Sequence, residues 1–217
     1  MFRVLTVGRE YGSGGGLIAR AVAERLGWNL LDKALVEAIA RAAQVEHGLA
    51  RRFDERCDSW LHRVSRRGLW QGGFEGVASP ADAKVFDAET MAALGKSLIL
   101  EAHSRGNCVI VGRGAQCVLQ DKEDVLHVFV HAPRSERIER LRSRVPSGSN
   151  IEQLMRSTDQ QRADFIRLYF GCDWKNLHLY HMLISSELGE DVVADMIVEA
   201  IGGGGKAGAS GTRGCDK

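Results

Sequence analysis

The feature that most constrains this chain lies within its first 26 residues. Phe2 to Val7 is a short apolar and β-branched run, Gly12 to Gly16 is glycine except at Ser13, and Leu17, Ile18, Ala21, Val22 and Leu26 then recur at helical spacing. The order is strand, tight turn, helix. A helix entered in this way aims its unpaired N–H groups and the positive end of its dipole at one point, an arrangement that binds phosphate. The loop runs Val7-Gly8-Arg9-Glu10-Tyr11-Gly12-Ser13-Gly14-Gly15-Gly16-Leu17 and is not G-x-x-x-x-G-K-[ST]. Gly15 stands where the lysine that reaches the β- and γ-phosphates belongs. Taken alone, the motif also fits a glycine turn that joins strand to helix and binds nothing.

The alternation continues downstream. Ala34 to Ala43 carries apolar residues at Leu35, Ala38, Ile39 and Ala42, a basic and aromatic stretch follows from His47 to Trp70, and the glycines between Gly68 and Pro80 predict a mobile loop. Met91, Leu94, Leu98, Ile99 and Ala102 share a helical face that ends near Gly106. Cys108 to Val111 predicts a buried strand, followed directly by Gly112-Arg113-Gly114. Further strands are predicted at Val125 to Val130 and His181 to Ser186, and helices at Arg134 to Arg144, Ile151 to Phe170 and Asp191 to Ile201. Helices between successive strands imply an α/β fold on a mostly parallel sheet, with ligand contacts in the loops leaving the strands' carboxyl ends. Seven of the sixteen residues from Gly202 to Lys217 are glycine, which predicts a flexible tail.

Composition narrows the classes. A chain of 217 residues suffices for one α/β domain, and burying roughly 70% of the unfolded surface gives it a real core. The formal net charge of +1 argues against nucleic acid or an anionic membrane as the main partner. The cysteines, Cys57, Cys108, Cys117, Cys172 and Cys215, are odd in number and never form C-x-x-C, which predicts a reducing compartment and no zinc module. The first residues lack the apolar stretch of a signal peptide, and no run approaches the roughly 18 residues of a membrane span, so the cytoplasm is the expected location.

The string Arg9-Glu10-Tyr11-Gly12-Ser13-Gly14-Gly15-Gly16 resembles the opening of the cytidylate-kinase-like family, a branch of the P-loop nucleoside-monophosphate kinases in which this form replaces the lysine-bearing loop. The likeness continues at Leu31-Asp32-Lys33, at Val109-Ile110-Val111-Gly112-Arg113-Gly114, through His127 to Leu141, and at Asp159, Arg162 and Asp173-Trp174. It spans about residues 1 to 201. What it implies is a parallel five-stranded sheet flanked by helices, a helical monophosphate-binding insertion near 33–105 and an arginine-bearing lid near 140–156. The implied reaction is ATP-dependent phosphorylation of a nucleoside monophosphate, CMP or dCMP by analogy, with Mg2+ accompanying ATP. Such chemistry asks the protein to align two charged nucleotides and neutralise the moving phosphoryl group, and the planar forks of arginine suit that task.

The resemblance assigns Gly12, Ser13, Gly14, Gly15 and Gly16 to the ATP phosphates, and Asp32, Lys33, Arg113, Asp159 and Arg162 to the acceptor. Arg9 is expected to supply the charge of the missing lysine, and Ser13 to help hold Mg2+, because Leu17 takes the place of the usual threonine. Arg140 and Arg144 are expected to approach the phosphates as the lid closes. Kinases that act on CMP carry G-R-D and R-D-x-x-D-x-x-R; here Gly114 replaces the first aspartate, and Met155 and Arg156 replace the leading Arg-Asp, which leaves base choice open.

Simpler readings of the same residues stand beside these. Arg113 can cap a helix, the arginines from Arg134 to Arg144 can form a solvated face, Asp159 and Arg162 can be an i,i+3 ion pair, and Asp32 can be an N-cap. Trp60, Trp70 and Trp174 read first as packing anchors, and His127 and His131 as facing helices or loops. His178-x-x-His181 has a metal-ligand spacing without a cysteine or acid at a suitable distance. Two other functions remain: a nucleotide-binding regulatory protein without turnover, and an RNA- or partner-binding protein that uses the arginine helix and the glycine tail.

Overall fold

Five strands, β1 (Val4–Arg9), β2 (Asn29–Leu31), β3 (Cys108–Val111), β4 (Val125–His131) and β5 (Met182–Ser185), pair in parallel in the computed structural model of this chain, which describes residues 1–32 and 88–203. Their order is β2-β3-β1-β4-β5, so the first strand is the central one. The chain fills one side of β1 with β2 and β3 before crossing to β4 and β5, and such a switch point opens a crevice at the carboxyl ends of the strands. The glycine loop leaves β1 at that crevice.

Both faces of the sheet are covered, which is why β1, β3 and β4 read as continuous apolar runs rather than alternating ones. On one face Leu5, Val7, Val109, Val128 and Val130 pack against α1 (Gly15–Leu26) and α6 (Glu190–Gly203), through Ile18 and Val22 of the first and Val193 and Ile197 of the second. On the other, Val4, Ile110 and Val125 pack against Leu98, Ile99 and Ala102 of α2 (Ala88–Arg105), with the short α3 (Ala115–Val118) alongside. That face continues with Phe129, Trp174 and Tyr180 against Ile166 of α5 (Ile151–Phe170). The remaining helix, α4 (Arg134–Arg142), precedes α5 and caps the carboxyl edge beside the glycine loop.

The five-stranded parallel sheet flanked by helices is the predicted architecture. Element ends moved for identifiable reasons. β1 runs on through Gly8 and Arg9 because these pair with Phe129 and Val130 of β4. The helix predicted to reach Arg144 ends its regular turns at Arg142, and a last bonded turn through Val145 stops at Pro146, whose ring disfavours helix in the residue before it. Of the predicted monophosphate-binding insertion only α2 is described; Lys33, the rest of that insertion, the loop from Gly68 to Pro80, Trp60, Trp70 and the tail beyond Gly203 lie outside the described residues. Among the described residues no helix is long and apolar enough to cross a membrane.

One polar pair is buried in the sheet. His127, facing the second layer from β4, is 3% exposed, and its Nδ1 lies 2.6 Å from Thr6 Oγ1 on β1. Its backbone N–H donates to His181 Nδ1 at 2.9 Å, and the two rings stack with centroids 5.3 Å apart. Burial, then the neighbouring His181, lower the His127 pKa from 6.5 to about 4. The unfolded chain therefore takes up this proton at a higher pH than the folded one, so the contribution is fully present above pH 6.5 and is lost as pH falls toward 4. At 1.36 kcal/mol per unit the loss approaches about 3 kcal/mol. Urea midpoints measured between pH 7.5 and 4 should fall steeply in this window, and the slope should flatten in His127→Gln.

Candidate active site

The glycine loop is held open from outside. Gly14 is the N-cap of α1 in a left-handed conformation and supplies no side-chain cap, so the first N–H groups of the helix face the crevice. Gly12 packs under Leu141 and the Arg137 carbonyl of α4, and Gly14 lies against the Glu190 carboxylate at the start of α6. Gly16 sits exposed in the first turn of α1 with no neighbour where a Cβ would stand. Ser13 is fully buried and its hydroxyl donates to the Glu10 carbonyl at 2.9 Å, which folds the loop back on itself.

Gly15 explains the missing lysine in space. A Cβ at this position would lie 2.6 Å from the Cβ of Arg9, so no side chain can root there while Arg9 leaves β1 as it does. The Arg9 guanidinium runs on to Gly112, where any Cβ would overlap its Nη1. Two glycines thus flank the path of one arginine. The guanidinium arrives beside Arg113, which follows β3 with φ 59°, and Arg162 of α5, whose Nη1 donates to the Arg9 carbonyl at 2.9 Å.

These three arginines line one cavity of about 480 Å3, whose other walls include Tyr11, Gln116, Phe165 and Trp174. Its size falls in the range of small-molecule sites. Burial first, then repulsion from Arg162 and Arg113, pull the Arg9 pKa down to about 9, against the Asp32 carboxylate just beyond β2. Arg162 is lowered as well, by burial first, with Asp159 and Tyr11 acting against the shift. Guanidiniums stay charged at neutral pH, and three of them lining one cavity suit an anion.

Asp159, expected at the acceptor, has both carboxylate oxygens engaged within the protein. Oδ1 accepts from the Tyr11 backbone N–H at 2.7 Å, and Oδ2 accepts from Arg137 Nη2. Arg137 in turn donates from Nε to the Tyr11 carbonyl at 2.7 Å and lies 3.3 Å from Glu10 Oε2. Glu10 also accepts from the Ala132 N–H. The α4–α5 hairpin therefore clasps the loop at Glu10 and Tyr11 through a buried arginine. Asp159 makes the expected i,i+3 pair with Arg162 too, at 3.6 Å.

Arg140 reaches the loop from the other side, donating to Ser186 Oγ at 3.1 Å and standing 3.9 Å from Glu190. Arg144 is exposed in the turn after α4. The arginine run is largely neutralised within the protein: Arg134 pairs with Glu152, Arg137 with Asp159, and Arg142 with Glu139. A polyanion-binding stripe needs such charges uncommitted, so this pattern weighs against the RNA reading. For a Mg2+ ion, Ser13 is a poor fit because it is fully buried, and the Leu17 side chain carries no oxygen. Among the described residues no three His, Cys, Asp or Glu gather as metal ligands.

Sequence reasoning brought Arg9, Arg113 and Arg162 into the candidate set, and the fold assembles them. It missed the clasp of Glu10, Tyr11 and Arg137, and it missed Gln116. Glu10 and Tyr11 stood within the motif string, but nothing in the chain signals which arginine far downstream meets them.

A central strand feeding a glycine loop, with arginines gathered in a cavity beside that loop, defines a P-loop kinase fold. Solved structures agree: a protein of Eubacterium ventriosum superposes with a TM-score of 0.64 at 22% identity, over 94% of this chain and 99% of its own. Shikimate kinase of Acinetobacter baumannii follows at 0.50 and 17% identity, over 94% and 95%. The chain belongs to the cytidylate kinase-like family, whose model matches residues 4–188. Among curated relatives, cytidylate kinase of Methanosarcina mazei is 31% identical over 87 residues, 39% of this chain and 48% of that protein. The Methylococcus capsulatus cytidylate kinase is 46% identical over 48 residues, 22% of each chain. The chain thus matches about half the length of the first of these relatives and less of the second.

Proposed function

We propose that this protein transfers the γ-phosphoryl group of ATP to a nucleoside monophosphate, with CMP or dCMP as the favoured acceptor. The observation that carries the reading is the convergence of Arg9, Arg113 and Arg162 in one cavity beside the amino terminus of α1. The uncapped helix end and the glycine N–H groups hold the ATP phosphates; the three guanidiniums hold the acceptor phosphate and its incoming charge. Two anions that repel one another in water are brought into line, which is the larger part of what phosphoryl transfer requires. Arg140, at the loop's other edge beside Ser186 and Glu190, stabilises the leaving phosphates in this reading. The family and its kinase relatives support a nucleotide substrate.

Purified protein incubated with Mg2+, ATP and a panel of nucleoside monophosphates should form the diphosphate, CDP most rapidly, measured by chromatography. Arg113→Ala should raise the acceptor KM by about tenfold or more, with the KM for ATP little changed, since a charge-assisted contact is worth about 1.5–3 kcal/mol. A second reading has one observation in its favour: Gly15 leaves no room for the usual lysine. In that reading the protein binds nucleotide without turnover. Absence of diphosphate with every acceptor, together with measurable CMP binding, would select it.

A further inference from the structure

The cavity that holds the three arginines has a second, chemically different end. Gln116, the second residue of α3, is 1% exposed, lines this cavity, and its Nε2 has no hydrogen-bond partner among the described residues. A buried amide donor left unpaired costs about 1–3 kcal/mol, so its retention asks for an explanation. The neighbouring Tyr180 hydroxyl donates to the Trp174 carbonyl at 3.0 Å and can accept one of the two Nε2 hydrogens, which leaves the second for a ligand. Around Gln116 the wall is aromatic and apolar, with Phe165, Ile166 and Trp174, whereas the guanidiniums crowd the glycine-loop side. One end thus suits an anion; the other suits a flat ring carrying a hydrogen-bond acceptor.

We propose that Gln116 is a specificity-determining residue that donates a hydrogen bond from Nε2 to a carbonyl oxygen or ring nitrogen on the base of the acceptor nucleotide, a reading that rests on the assignment of this cavity to the acceptor. The backbone helps to aim it. Gly112, Arg113 and Gly114 all take positive φ, which turns the chain sharply out of β3 and into α3, so that Arg113 and Gln116 line the same cavity. Gly114 itself is pressed against the Phe170 ring, which ties the carboxyl end of α5 to this turn. Arg113, which holds phosphate in this reading, and Gln116, which reads the base, therefore come from one turn.

The test compares two ligands that share the phosphate and differ in the base. Binding of CMP and of ribose 5-phosphate is measured by calorimetry on the wild-type protein, Gln116→Leu, Gln116→Met and Arg113→Ala, with thermal midpoints to confirm folding. Wild type should bind CMP more tightly than ribose 5-phosphate. Both Gln116 variants should weaken CMP about tenfold and leave ribose 5-phosphate unchanged; Arg113→Ala should weaken both ligands. CMP affinity that survives in both Gln116 variants but falls in Arg113→Ala would overturn the role of Gln116 while the acceptor site stands. Failure of wild type to bind either ligand would overturn the acceptor assignment itself, and the inference with it.

Discussion

Replacing Arg9 with methionine should lower kcat by about 10²–10³, the loss typical of removing one preorganised donor from a transition state, and should do so without lowering the unfolding midpoint. The two halves of that expectation come from one geometry. Arg9 lies between Gly15 and Gly112, where its charge is partly stripped of water and repelled by Arg113 and Arg162. A group held against its own electrostatic preference stabilises nothing, and exchanging such a charge for an apolar side chain is often neutral or stabilising by about 1–4 kcal/mol. Activity lost with stability kept or gained is the signature of a residue that serves the reaction. Steady-state kinetics alongside thermal unfolding decide it: a variant with near wild-type kcat would show that Arg9 does not replace the missing lysine, and a variant that unfolds would show that Arg9 is structural.

Asp159→Ala should behave in the opposite way. It leaves the buried Arg137 without its main counter-charge and the Tyr11 N–H without an acceptor, and breaking a buried pair of this kind costs about 3 kcal/mol. For a chain of this length that corresponds to a fall of roughly 6–12 °C in Tm. Because the same contacts brace the glycine loop, kcat should fall with stability. The acceptor KM should change little, since both carboxylate oxygens are already committed within the protein. Asp159→Asn, which keeps an oxygen for Tyr11 but loses the charge, should sit between the two. If instead the acceptor KM rises many-fold in both variants with Tm unchanged, Asp159 contacts the acceptor, as the family resemblance implies, and the clasp is of little consequence.

Much of the fold was legible before the tertiary structure, and the reason is local. β1, β3 and β4 are buried on both faces because helices cover both faces of a parallel sheet, and their mainly apolar pattern is written in four to seven consecutive residues. The glycine loop was legible for the same reason: backbone that must turn between strand and helix needs glycines at adjacent positions. Strand order was not written locally. That β1 lies between β3 and β4 depends on which apolar faces pack against α1 and α6, and no single segment records that choice.

The candidate site divides along the same line. By itself the sequence determined that phosphate chemistry was in question, through the glycine string and the Gly-Arg-Gly turn after β3, and it identified the absent lysine. Tertiary structure alone decided what each charge does. Arg137 and Asp159 were spent on holding the loop and Ser13 on folding it, while Arg9, Arg113 and Arg162 line one cavity. Gln116 gave no signal in the chain, because an amide short of a partner exists only once burial has removed water from around it. The physical reason is range: turn chemistry and hydrophobic period act over a few residues, whereas the pairing of a charge, and so its function, is set by neighbours that the chain brings together from more than a hundred positions away.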